Sequence, residues 1–370
     1  MTSILISLFF ACGEKETDTA SIASTEGISC ENNLCILSGT ITEDITLTAD
    51  KQYLLRGGVF IGDDEAETVL TIEAGTTIYG ESSTDGMLSI RRNSRIIAEG
   101  TAEAPIVFTS SKEPGSRSRG DWGGLIINGN APINACADEA AVNCEAFGEG
   151  GTGFYGGDNP EDDSGILKYL RVEFAGTLVS PENELNGIAF QGVGSGTTVE
   201  YIQVHMNADD GVEFFGGTVF AKYILISSVG DDSLDWTDGW QGGAQYVILH
   251  QSDDNGDNGI EADNNGENNE AEPRSNPSLA NFTVIGSPDS ESSDIGILLR
   301  EGTAASIMNF AVLGFNESCL SINNAATVTQ ADRGNITMSH SALGCATNFD
   351  SVDGMDLEQW FLGQEGICRG

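Results

Sequence analysis

The sequence predicts an all-β protein: a single-stranded right-handed parallel β-helix, a solenoid closed by a short C-terminal helical cap. Three observations carry that prediction. An acidic motif is written three times, as NADDGVEFFGG at Asn207–Gly217, GDDSLDWTDG at Gly230–Gly239 and GDNGIEADNNG at Gly256–Gly266. Asp209, Asp231 and Asp257 correspond across the copies, as do Glu213, Asp235 and Glu261, at offsets of 22 and 26 residues. Repeats of this length mark a solenoid in which each copy is one coil. Second, an aromatic followed by aliphatic residues recurs in phase, in KYLRV, EYIQV, KYILI, QYVIL, NFTVI and NFAVL, ending in SHSAL. Tyr169, Tyr201, Tyr223, Tyr246, Phe282, Phe310 and His340 are read as one column, a corner followed by an inward-facing strand. Third, no helical stripe of useful length separates the β-rich runs, so parallel strands stack coil upon coil with the usual crossover hand.

The elements follow in chain order. Ile4–Ala11 is a short apolar run before Cys12, read as a lipoprotein signal peptide over residues 1–11 with Cys12 as the lipidated residue. Residues 12–40 are polar, lack periodicity and read as a flexible tether. The β-helix is expected over 41–345. VLTIEAGTTIY at Val69, MLSIRRNSRIIAE at Met87, APIVFT at Ala104 and WGGLIIN at Trp122 are strands bounded by Gly, Asn and Asp. Insertions are expected at 131–164 and 264–277. The cap is placed at 346–370, with Asp353 opening a helix in which Leu357, Trp360 and Phe361 share one face.

Composition restricts function. The chain has 370 residues, with 57 acidic against 16 basic and a formal net charge of −41. Such a surface repels nucleic acid and bare anionic membranes, so membrane contact is expected only through the lipid anchor. It attracts cations. No apolar run reaches the length of a membrane span. The eight cysteines lack zinc-site spacing and fit oxidised export. Cys30/Cys35 and Cys136/Cys144 suit local disulfides, and one pair is expected among Cys319, Cys345 and Cys368.

LTIEAGTTIYG at Leu70, SRIIAEGTAEAPIVFTS at Ser94 and DWGGLIINGNAPIN at Asp121 resemble bacterial cell-surface β-helix lipoproteins of uncharacterised function, from about Leu70 to Gly344. More remotely, the architecture is similar to pectate lyases and polygalacturonases. The resemblance implies a right-handed β-helix at the outer membrane surface of a bacterial envelope. It implies no reaction.

The chemistry is expected on the acidic ladder. Equivalent residues of adjacent coils sit about 4.8 Å apart, where two bare carboxylates repel by about 3 kcal/mol at an effective dielectric of 20. Calcium would offset that repulsion, as a hard cation that takes six to eight oxygens. The expected ligands are Asp209, Asp210, Glu213, Asp231, Asp232, Asp235, Asp257, Glu261 and Asp263. A mobile counterion cloud on a structural envelope protein is the bland alternative. The favoured reading is a monomer that binds calcium and a glycan or other cell-surface partner, with Trp240, Asp238 and Arg300 as ligand-binding residues. The enzymatic alternative is a polysaccharide lyase or glycoside hydrolase using Asp231, Asp232 and Asp235, with Arg274 or Arg300 as the base of a lyase. His205 and His250 occupy equivalent places four residues after Tyr201 and Tyr246 and read as corner residues.

Overall fold

The computed structural model describes residues 27–136, 143–180, 183–351 and 354–367. Among the described residues, twenty-five strands form one sheet wound into a β-helix, parallel throughout except for an antiparallel hairpin at its N-terminal end. Two families of strands matter for the site. Gly165–Glu173, Thr198–His205, Phe220–Ser227, Gly243–His250, Ser278–Ile285 and Ala305–Leu313 pair in register on one side. Gly124–Asn128, Ile188–Gln191, Val212–Phe215, Leu234–Thr237, Ile260–Ala262, Ile295–Leu299 and Ser318–Ile322 pair on another. The core between them is apolar, with Trp122, Trp236, Trp240, Phe108, Phe190 and Phe214 fully buried.

The aromatic column is real for its first four members and shifted for two others. Tyr169, Tyr201, Tyr223 and Tyr246 all have positive φ, between 48° and 62°. Each kinks its strand, so that Val199 and Ile202, three residues apart, both point inward past Tyr201. The rings stack outside the helix at centroid spacings of 4.3, 4.5 and 5.1 Å. Register then places Val247 opposite Phe282, and Phe282 opposite Phe310. The kinked positions in those coils are therefore Asn281 and Asn309, with φ of 62° and 59°. Phe282 and Phe310 are buried core residues one place further on. Asn tolerates the left-handed region better than Phe, so the corner changes residue type and the aromatic moves inside. His340, with φ of 52°, keeps the corner.

The ends also differ in detail from expectation. Ile28–Glu31 and Leu34–Ile41 already form the hairpin at the N-terminal end, with Cys35 and Leu37 in the core. The folded body thus starts inside the stretch read as a tether, where the Cys30–Cys35 disulfide closes the turn. Cys12 and the signal segment lie outside the described residues. Cys136–Cys144 is a disulfide, and Cys319 pairs with Cys345; Cys368 lies outside the described residues. A first helix, α1 (Ala325–Asp332), was not signalled by any apolar stripe; Asn324 caps it by accepting from Thr327 N. The C-terminal helix, α2 (Leu357–Leu362), is capped by Asp356, which accepts from Gln359 N at 2.9 Å. Asp353 lies outside the described residues. Leu357 and Phe361 are buried, and Phe361 packs on Phe349, whose strand pairs with Ser318–Ile322 and continues the solenoid past residue 345.

Candidate metal centre

The acidic ladder lies on the outer face of the strands Val212–Phe215, Leu234–Thr237 and Ile260–Ala262. Val212, Leu234 and Ile260 point into the core, so the next residue on each strand points out. Those residues are Glu213, Asp235 and Glu261, paired directly across neighbouring coils. Ala189 precedes the column and Leu298 ends it. The turn before each strand supplies a second column. Asp210 Oδ1 accepts from Asp232 N at 3.0 Å, and Asp232 Oδ1 accepts from Asn258 N at 2.7 Å. Each turn carboxylate is thereby tied to the next coil. Asp209, Asp231 and Asp257 form the outermost column.

These side chains converge. Four triads each place a carboxylate oxygen from every member within 4.8 Å of the others: Asp209/Asp210/Asp231, Asp210/Glu213/Asp235, Asp231/Asp232/Asp257 and Asp232/Asp235/Glu261. Several members are far less exposed than a solvated acidic face requires. Asp210, Glu213 and Asp232 are 7, 8 and 5 % exposed. Burial is the largest cause holding the carboxyls of Asp210, Glu213, Asp232 and Asp235 well above the usual range, and neighbouring carboxylates add to it. Burial and then Asp231 raise Asp209 to about 7. Burial raises Glu261 to about 7 although Arg300 opposes it, and raises Asp257 and Asp238 each to about 6. Charged carboxylates in such a place need protons or cations as company.

Among the described residues, Arg300 is the basic side chain that ion-pairs with the ladder. Its Nε donates to Asp263 at 2.8 Å and its Nη2 to Glu261. Burial opposes the charge on Arg300, but Asp263 and Glu261 push its pKa above the ordinary value. It balances the last rung and cannot act as a base. Asp263 is therefore an ion-pair partner, outside all four triads.

Other expected residues fall elsewhere. Trp240 is fully buried, stacked on Phe214 at 4.0 Å with its Nε1 donating to Val219 O, so it offers no face to a ligand. The core needed its bulk, and the same holds for Trp236, which bonds Thr303. Arg274 is not beside the acids. Its Nη1 donates to Asn269 O at 2.8 Å and to Gly302 O, and its Nη2 to Glu270, which fastens the inserted loop. Asp238, with φ of 56°, accepts from Tyr155 Oη at 2.8 Å and lines a cleft of about 690 Å³ with Asn134, Cys136, Asn265 and Asn268. That cleft lies where the two insertions meet, pinned by Asn134 Nδ2 on Asn264 Oδ1 at 2.9 Å. Asp253 bonds Ser287, and Asp254 is held low by Arg119. His205 and His250 flank Ser227 in register, with His205 Nδ1 2.9 Å from Ser227 Oγ, away from the ladder.

Three contributors escaped the sequence reading. Asn186 stands one coil before Asp210, and its Nδ2 donates to Glu213 Oε2 at 2.5 Å. The signal was present: NGIAF at Asn186 repeats DGVEF at Asp210 with the acid replaced by Ala189. Glu149 and Glu184 add their charge to Asp209.

Residues 39–357 match the family model described as a pectate-lyase-like β-helix domain. The chain belongs to that family. No protein of curated function matches this pectate-lyase-like β-helix by sequence. Two solved structures are similar to it in fold. A periplasmic alginate epimerase matches at 8 % identity and a TM-score of 0.39, over 90 % of this chain and 81 % of its own. The catalytic domain of a GH87 α-1,3-glucanase in complex with tetrasaccharides matches at 8 % identity and a TM-score of 0.31, over 87 % and 64 %.

Proposed function

We propose that this pectate-lyase-like β-helix is a calcium-binding protein of the bacterial cell envelope, anchored by lipid at Cys12 and presenting its acidic face to a glycan or other cell-surface partner. One observation carries the reading: Asp210, Glu213, Asp232, Asp235 and Glu261 crowd into buried triads where Arg300 is the paired cation. Hard oxygen donors, with no Cys or His among them, suit calcium rather than zinc. Three disulfides support an oxidising compartment. The cleft beside Asp238 is the partner site, as a polar recess of about 690 Å³ where the two insertions meet.

Glycoside hydrolysis is the second reading, favoured by the carboxyls of Asp209 and Glu261 near 7, where a group can give and take a proton. Lyase chemistry loses its base, because Arg274 is spent on the loop and Arg300 on two carboxylates. Thermal unfolding in calcium, magnesium and chelator at fixed ionic strength tests the first reading. A rise specific to calcium, lost in Asp231→Asn/Asp235→Asn, is expected; equal responses to both cations would reduce the ladder to a counterion cloud. Release of sugars from polysaccharides by the wild type, abolished in Asp232→Asn, would move the assignment to the hydrolase.

A further inference from the structure

The four triads are not equivalent. The two outer ones, Asp209/Asp210/Asp231 and Asp231/Asp232/Asp257, each draw two of their three members from the outermost column and share Asp231. The two inner ones, Asp210/Glu213/Asp235 and Asp232/Asp235/Glu261, are the same arrangement repeated one coil apart, and Asp235 belongs to both. Two further observations point to a ligand there. Asp235 Oδ1 is sealed from solvent with no hydrogen-bond partner, although it belongs to both inner triads. Asn186 is 3 % exposed and reaches Glu213 with one end of its carboxamide, while its Oδ1 has no partner. The two ends of a carboxamide exchange by a half-turn, so Asn186 can present its carbonyl oxygen where its Nδ2 now touches Glu213. Buried polar atoms left without partners are rare, and carboxylate and amide oxygens without partners are what a hard cation collects.

Resting on the calcium reading above, we propose that the ladder holds a pair of cations on successive coils. One is seated by Asp210, Glu213 and Asp235 with the Asn186 carbonyl, the other by Asp232, Asp235 and Glu261, and Asp235 bridges them. Charge decides the number. The five carboxylates of the two seats and Asp263, which shares Arg300 with Glu261, carry six negative charges when ionised, and Arg300 returns one positive charge. Two divalent cations reduce the remaining five to one, whereas a single one leaves three negative charges crowded and unmatched. Coil spacing of about 4.8 Å lies close to the separation of about 3.5–4 Å found between the ions of two-metal sites. The pair explains why the acids stop where they do: Ala189 and Leu298 bound the column on either side, so there is room for two full seats and no third.

The test is a count. The full chain bearing Cys12→Ser, which removes the lipidation residue, is stripped with chelator and titrated with calcium alone, the ions being counted by native mass spectrometry and the affinities measured by calorimetry. Two ions per chain that depend on Asp235 are expected. Glu261→Gln should retain one of them, and Asp235→Asn should weaken both by at least about tenfold. A single ion in the unsubstituted ladder overturns the paired centre and leaves calcium binding intact. No ion overturns both. Two ions that survive Asp235→Asn with unchanged affinity overturn the bridge, and circular dichroism of each variant separates loss of the seat from loss of the fold.

Discussion

Without cations, this protein should lose stability as the pH rises, the reverse of ordinary acid denaturation. Asp209 has its carboxyl raised from 3.8 to about 7. A group raised in the folded state contributes stability that is fully present below its unfolded pKa, near 4, and is lost as pH climbs through its folded pKa, near 7. A shift of about three units at about 1.36 kcal/mol each corresponds to about 4 kcal/mol between pH 4 and pH 8. The ladder carboxyls share protons, so the figure is taken once rather than for every member. At about 2.1 cal/mol/K per residue, a chain of 370 residues has an unfolding entropy of about 0.8 kcal/mol/K, which converts the loss to about 5 °C. His205, lowered by burial, works in the opposite direction and is half-exposed. The assay is the thermal midpoint in chelator at pH 5 and pH 8, ionic strength fixed, with and without saturating calcium. Between pH 5 and pH 8 about two of the three units titrate, so the midpoint should be about 3 °C lower at pH 8 in chelator, and calcium should close most of that gap by taking the place of the protons. Asp235→Asn, which removes one charge from the middle of the column, should raise the apo midpoint at pH 8. A midpoint in chelator that is flat or rises from pH 5 to pH 8 would refute the reasoning.

Other consequences follow from single contacts. Tyr223 sits at a φ of 59° that Asn adopts at the equivalent positions 281 and 309; denaturant titration should find Tyr223→Val less stable than Tyr223→Asn by about 1–2 kcal/mol, since both lose the ring stack and only Val strains the corner. Replacing Cys319 and Cys345 by Ser opens a link across 26 residues and should cost about 3.5 kcal/mol on the chain-entropy account, measured the same way under non-reducing conditions. Arg300→Gln leaves Glu261 and Asp263 without their cation. In chelator at pH 8 it should lower stability by about 1–3 kcal/mol, a figure discounted because the pair is partly solvated. At pH 5, where Glu261 is protonated, the cost should shrink.

The fold was legible because a β-helix repeats its sequence where it repeats its geometry. Offsets of 22 and 26 residues between the acidic motifs are the coil lengths, and they place Glu213, Asp235 and Glu261 in direct register. Reading failed where the repeat changed residue type without changing geometry. Asn281 and Asn309 took over the tyrosine corner, and their neighbours Phe282 and Phe310 carried the aromatic signal one step inward. Asn186 was missed for the same reason, its coil having Ala189 in place of the acid. Trp240 misled because alternation cannot tell a core residue from a surface one in a turn, and the side chain that stacks on Phe214 looks in sequence like one beside Asp238. Arg274 and Arg300 were equally plausible partners of the acids. Only the path of the inserted loop sends one to backbone carbonyls and the other to the ladder.

The most direct measurement is anomalous diffraction from a crystal grown in calcium, with data collected where calcium scatters anomalously. The account predicts anomalous peaks between Asp210, Glu213, Asp235 and Glu261, with carboxylate oxygens at about 2.3–2.6 Å from each ion. Ordered water in the triads, with protonated carboxyls bonded to one another at neutral pH and no anomalous peak, would contradict it.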